Sequence, residues 1–105
     1  MRWRKGQIQI KVNLPAHVGQ IERTVNGYIS GPFAIHRSQS HKTLWTLSHV
    51  PTKMLIVGAH TMRDAKIAAE RFANFPADWD SKDLVATREM YDLALDVRRQ
   101  LSVTR

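Results

Sequence analysis

Polar and apolar residues alternate without a break from position 7 to position 14, putting Ile8, Ile10, Val12 and Leu14 on one face of an extended chain and Gln7, Gln9, Lys11 and Asn13 on the other. A period of two predicts a strand with one buried face. Pro15 stops it, and Gly19, Asn26-Gly27 and Gly31-Pro32 punctuate the next stretch as turns. Within that stretch Val25-Asn26-Gly27-Tyr28 reads as a tight hairpin turn, because Asn-Gly accepts the positive φ angles of a type I′ turn.

Three further strand-like runs follow, at residues 33–37, 43–50 and 54–59. Ser38-Gln39-Ser40-His41-Lys42 joins the first pair and Pro51-Thr52-Lys53 the second. Connections this short imply antiparallel neighbours, so the runs should form a meander. In the middle run Trp45, Leu47 and His49 share one face, and Leu44, Thr46 and Ser48 share the other. The difference in polarity reads as one side turned to solvent or to a partner.

The period then changes. Thr61 stands as an N-cap with Asp64 three positions on, and Ala65, Ala68, Ala69 and Phe72 recur at helical spacing. This helix should end near Asn74, because the residue before Pro76 is pushed out of helical geometry. Asp80-Ser81 reads as the cap of a second helix running to about residue 103. Leu84, Met90, Tyr91, Ala94, Leu95, Val97 and Leu101 form its apolar arc, while Arg88, Asp92, Asp96 and Arg99 offset one another on the exposed face.

The predicted fold class is α+β: an antiparallel sheet of about four strands, in undetermined order, with two helices on one face and both helices in the C-terminal half. The length of 105 residues suits one domain, with a basic arm over 1–6, mainly strands over 7–60, and helices over 61–75 and 80–103. No run approaches the roughly 18 apolar residues of a membrane span. The start, Met1-Arg2-Trp3-Arg4-Lys5, has no apolar stretch after it and is not a secretory signal. A soluble, cytoplasmic protein with no membrane partner is expected.

Charge sharpens this picture. Up to residue 60 the chain carries eight Lys and Arg against Glu22 alone, which is the whole net charge of +7; beyond it, eight basic residues face eight acidic ones. The five histidines, His17, His36, His41, His49 and His60, lie in the basic part too.

Candidate chemistry is thin. The absence of cysteine excludes disulfides, thiolate metal sites and cysteine nucleophiles. No His-x-His or His-Glu-x-x-His occurs, and Glu22 is the one carboxylate near the histidines, so these read as solvent-facing strand residues and no metal is expected. A lone carboxylate does not equip a nuclease or hydrolase. Ser38, Ser40 and Ser48 lie near histidines, but no Gly-x-Ser-x-Gly elbow or Gly-rich phosphate loop accompanies them. A non-enzymatic chain without cofactor is the reading.

Binding residues are easier to name. In Arg2-Trp3-Arg4-Lys5 an aromatic ring sits between cations, which suits phosphate contact with a base or sugar stacked on the ring; the plain alternative is a solubilising terminus. Arg37, His41, Lys42, His49 and Lys53 gather at the ends and turns of the meander, and Lys11 projects from the polar face of the first strand. Trp45 and Trp79 read as packing residues.

A resemblance follows from Trp45-Thr46-Leu47, the turn Val50-Pro51-Thr52-Lys53, the strand over 54–59 and the helix opening Thr61-Met62-Arg63-Asp64-Ala65. Over about residues 32–75 this order resembles the small arm-binding domains of phage and transposon integrases, a three-stranded antiparallel sheet followed by a helix. Those domains lay their sheet in the DNA major groove, which implies Arg37, Lys42, His49 and Lys53 as contacts here. The chain departs from that pattern in its N-terminal strand and long second helix. It also looks like the short accessory proteins of phages and mobile elements, a group that includes anti-CRISPR inhibitors. The expected function is a basic module that engages nucleic acid through its sheet face and N-terminal arm. The alternative is an inhibitor that docks its basic face on an acidic surface of a host protein complex.

Overall fold

The computed structural model describes residues 1–13, 19–39 and 43–103. Its elements are β1 (Arg4–Asn13), β2 (Gln20–Ser30), β3 (Phe33–Arg37), β4 (Trp45–His49), β5 (Met54–Ala59), α1 (Met62–Ala73) and α2 (Arg88–Val103). The fold is α+β, with one antiparallel sheet of five strands in the order β1-β2-β3-β4-β5. The meander is as expected; the fifth strand is not.

That strand is β2, which runs straight through the expected turn at Val25-Asn26-Gly27-Tyr28. Gly27 faces Gly6 on β1 and His36 on β3, and its φ is not positive. A Cβ there would sit 2.7 Å from Ile8 Cδ1 and against the carbonyl oxygen of Ile35. The glycine therefore permits close approach of neighbouring chains and not a reversal. The reversal comes at Gly31-Pro32, where Gly31 adopts a φ of 57°. β1 likewise begins earlier than expected, so Arg4 and Lys5 belong to the sheet and not to a free arm.

The narrow glycine crossing goes with a sheet that has a core on each face. On one face Phe33, Ile35, Leu47, Val57 and Ala59 meet Ala65, Ala68, Ala69 and Phe72 of α1 and Val97 and Leu101 of α2. On the other, Ile8 and Ile10 pack on Ala34, flanked by Val12, Val25, Ile29 and Val50. The first and last strands approach one another, and the Lys11 amide donates to the Lys53 carbonyl at 2.9 Å. Both sides of β3 and β4 are consequently covered. Thr46, Leu47, Ser48 and His49 are all buried, against the expectation that one side of this run faces solvent.

The helices divide between confirmation and correction. Thr61 caps α1 as expected, its Oγ1 accepting from the Asp64 amide at 3.0 Å. The second helix starts later than expected. Ser81 Oγ takes the Asp83 amide at 3.1 Å and closes a local turn, and Thr87 Oγ1 caps the helix by accepting from the Met90 amide at 3.2 Å. A side chain that bonds the backbone two residues on competes with helix formation, so residues 80–87 stay irregular. Leu84 is off the helix, and Tyr91 and Leu95 are exposed; Met90, Val97 and Leu101 make the buried stripe. Arg71 of α1 ties the two helices together through Asp96 at 3.0 Å and through Gln100.

Trp79 completes the helix-side core from the connection between α1 and α2. Its ring lies 5.2 Å from that of Phe33 and 6.1 Å from that of Phe72, and its Nε1 donates to the Phe75 carbonyl at 3.0 Å.

Candidate functional site

The polar face of β1 is matched across the ladder by β2, so that Lys5 stands opposite Tyr28, Gln7 opposite Asn26, and Lys11 opposite Glu22. Farther along the sheet Arg37, the last residue of β3, pairs with Trp45, the first of β4. Three of these pairs, Lys5–Tyr28, Gln7–Asn26 and Arg37–Trp45, meet in a groove of about 480 Å³. Its floor crosses Gly6 and Gly27.

Packing and charge organise the groove together. Trp45 is half-buried against the helix-side core, which fixes its ring, and the Arg37 guanidinium lies over that ring at 4.2 Å from the centroid. Such a stack contributes roughly 0.5–1 kcal/mol at an exposed site, and it holds the cation in one place. Lys5 and Arg37 are exposed, Tyr28 is half-buried, and no carboxylate occurs among the described residues lining the groove. Chemically it offers two cations, of which Arg37 is held in place, two aromatic rings and two side-chain amides.

Other expected binding residues lie elsewhere. At the far end of the β3–β4 hairpin from Arg37, His49 is 3% exposed. Its Nε2–H donates to the Trp79 carbonyl at 2.6 Å, which leaves Nδ1 to accept from the Thr52 hydroxyl at 2.7 Å. His49 therefore holds the β4–β5 turn to the connection that carries Trp79, and it is not a surface contact. Lys53 Nζ bonds Glu22 Oε1 at 2.7 Å, while Lys11 faces the same carboxylate across the ladder. The hydrogen bond from Lys53 and then its charge, with a smaller contribution from Lys11, hold the Glu22 carboxyl below its ordinary range.

The N-terminal residues also separate. Trp3 is half-buried and packs against the helix-side core, away from the groove lining. Arg2 is exposed, and Arg4 falls on the opposite face of β1 from Lys5 by strand alternation. Of the ten expected contacts the groove brings together Lys5 and Arg37. His41 and Lys42 lie outside the described residues. Tyr28, Asn26, Gln7 and Trp45 were not expected there; the alternation of β1 and a hairpin register counted back from Gly31-Pro32 contain the signal for the first three.

His36 is buried, not solvent-facing as expected. Its Nδ1–H donates to the Arg37 carbonyl at 2.8 Å, so Nε2 accepts from the Ser48 hydroxyl, also at 2.8 Å. Burial pushes its pKa below the ordinary histidine value, against a smaller opposing effect of the carbonyl. Serine and histidine stand as a nucleophile and base would, but Ser48 has no exposed surface and lies inside the sheet. Among the described residues no group of three or more His, Asp or Glu is placed to hold a metal ion, and no helix is long and apolar enough to cross a membrane.

No family model matches the chain, nor does any curated protein or any solved structure.

Proposed function

We propose that the chain is a non-enzymatic nucleic-acid-binding module whose contact surface is the groove between the polar side of β1–β2 and the Arg37–Trp45 pair. One observation carries this reading: two cations, one of them held by its stack on Trp45, and two aromatic rings share a groove whose described lining has no carboxylate. Lys5 and Arg37 supply phosphate contacts. Tyr28 and the outer face of the Arg37–Trp45 stack supply planes for a base or sugar, and Gln7 and Asn26 supply donors and acceptors for base edges.

This placement differs from the sheet-in-groove docking that the integrase resemblance implies. β3 and β4 are buried on both faces over most of their length, so the exposed polar part of the sheet is the β1–β2 ribbon together with the Arg37–Trp45 end of the β3–β4 hairpin.

Fluorescence anisotropy of labelled single- and double-stranded DNA and RNA across a salt series tests the proposal. The wild-type affinity should fall linearly on logarithmic axes. The Lys5→Ala/Arg37→Ala variant should bind more weakly, with a slope smaller by up to about 0.9 per lost contact on duplex DNA or 0.7 on a single strand. Lys53→Ala, whose cation is already paired with Glu22, should bind close to wild type. An unchanged affinity in the double variant would sink the groove as the contact surface. Failure of the wild type to bind any form at low salt would leave an acidic protein surface as the partner class that the charge fits.

A further inference from the structure

The side of the molecule formed by β5 and α2 is opposite in character to the groove. Leu55 is 59% exposed, Tyr91 64% and Leu95 56%, and all three border a cleft of about 590 Å³ between strand and helix. A second cleft of about 350 Å³, with the exposed Met54 and Val85 on its rim, shares Leu55, Ile56, Tyr91 and Ala94 with the first. The apolar surface is therefore continuous from Val85 to Leu95. Among the described residues lining either cleft, Arg98 is the one with a permanent charge.

We propose that this face is the interface of a two-fold symmetric homodimer. Charge selects the occupant. Two copies that each carry +7 repel one another wherever their basic surfaces meet, and this face is where they can approach with little charge between them. Contiguous exposed apolar residues of this kind on a monomer mark an association surface.

Geometry limits the assembly to two copies. β5, with the sequence Met-Leu-Ile-Val-Gly-Ala, ends the sheet with no charged residue and no proline. β1 ends the other side and carries Arg4, Lys5 and Lys11, the usual protection against edge pairing. Head-to-tail growth from β5 onto β1 of the next copy is thereby disfavoured, and the same patch meeting itself closes the assembly. An irregularity in the β4–β5 register at Leu47/Ser48 leaves Ile56 without a partner on β4. It interrupts the edge, so side chains rather than a continuous ladder hold the copies, with the Leu55–Tyr91–Leu95 ridge of each seated in the cleft of the other.

The proposal also fixes how much surface the pair must cover. A stable dimer would have to bury roughly 800 Å² of each copy, about a ninth of the 7108 Å² surface. The six residues of β5 run for about 20 Å and the sixteen of α2 for about 24 Å alongside it.

Sedimentation velocity of the full chain at low and high salt, over a range of concentrations, is the test. A species of twice the 12.1 kDa chain mass should appear, and its share should grow with salt as the repulsion is screened. Nucleic-acid binding responds to salt with the opposite sign, so the two proposals fail separately, and Lys5→Ala/Arg37→Ala should remain dimeric. Leu55→Glu/Leu95→Glu should sediment as a monomer with an unchanged circular dichroism spectrum, because both leucines are exposed. Should that variant misfold, Tyr91→Ser/Leu95→Ser takes its place. A wild-type chain that stays monomeric at high concentration and high salt overturns the proposal. So does a folded variant that still dimerises, or a mass that grows past two copies.

Discussion

The two faces of the sheet are stabilised by different means. On the helix side, residues from three strands and two helices interlock around Phe33, Phe72 and Trp79. On the other side the sheet serves as its own cover, with Ile8 and Ile10 reaching Ala34 across a crossing narrow enough to require Gly27. The helix-side core follows from amphipathic pattern. The other follows from the absence of a side chain at one position, and it is what turns the polar face of β1 outward to form the groove.

The contrast can be broken from either side. Phe72→Ala should have the largest effect, a loss of about 3–5 kcal/mol measured by denaturant unfolding, because it empties the contact between α1 and Trp79. Gly27→Ala should cost about 3 kcal/mol, the upper end for overpacking, since its new methyl meets backbone that cannot yield. Its signature is selective: β1–β2 amides should lose hydrogen-exchange protection while those of α1 keep it. Equal loss in both regions would show that the two cores form one cooperative unit.

A gentler probe of the same crossing is pH. His36 is neutral in the fold, its pKa held below the ordinary value near 6.5, so the unfolded chain takes up the proton first. Stability should be full above that ordinary value and should decline as pH falls from it toward the folded-state value. Urea midpoints across this range check the decline, and His36→Gln should flatten it. The smallest effect on stability is expected for Lys5→Ala/Arg37→Ala, within about 1 kcal/mol because both side chains are exposed and the Arg37–Trp45 stack contributes no more than that, while nucleic-acid affinity falls. A large loss of stability there would make the groove a packing feature.

Much of this architecture is legible in the residues. The alternation of β1, the strands β3 and β5, and the Thr61 cap of α1 are local patterns, and each is realised close to where the pattern puts it. What local pattern misreads is context. Asn26-Gly27 has turn chemistry, yet the glycine is used for its missing Cβ. Ser81 has cap chemistry, yet it closes an isolated turn while Thr87 caps the helix. The histidines look polar along a strand, yet His36 and His49 each satisfy both ring nitrogens inside the protein. The groove was half visible, since Lys5 and Arg37 stand out as cations in an acid-poor stretch. Their meeting with Tyr28 and Trp45 depends on strand register, which composition does not carry.

The hydrogen bond from Lys11 to Lys53 has a kinetic consequence. Nearly every other contact in the meander joins strands that are neighbours in sequence, so each hairpin can form after closing a short loop. Bringing position 11 to position 53 spans most of the sheet, with a chain-closure entropy that the local hairpins avoid. This junction should therefore be the last to form and the first to open. The Lys11 amide should accordingly exchange with solvent sooner than the amides that β2 and β3 share.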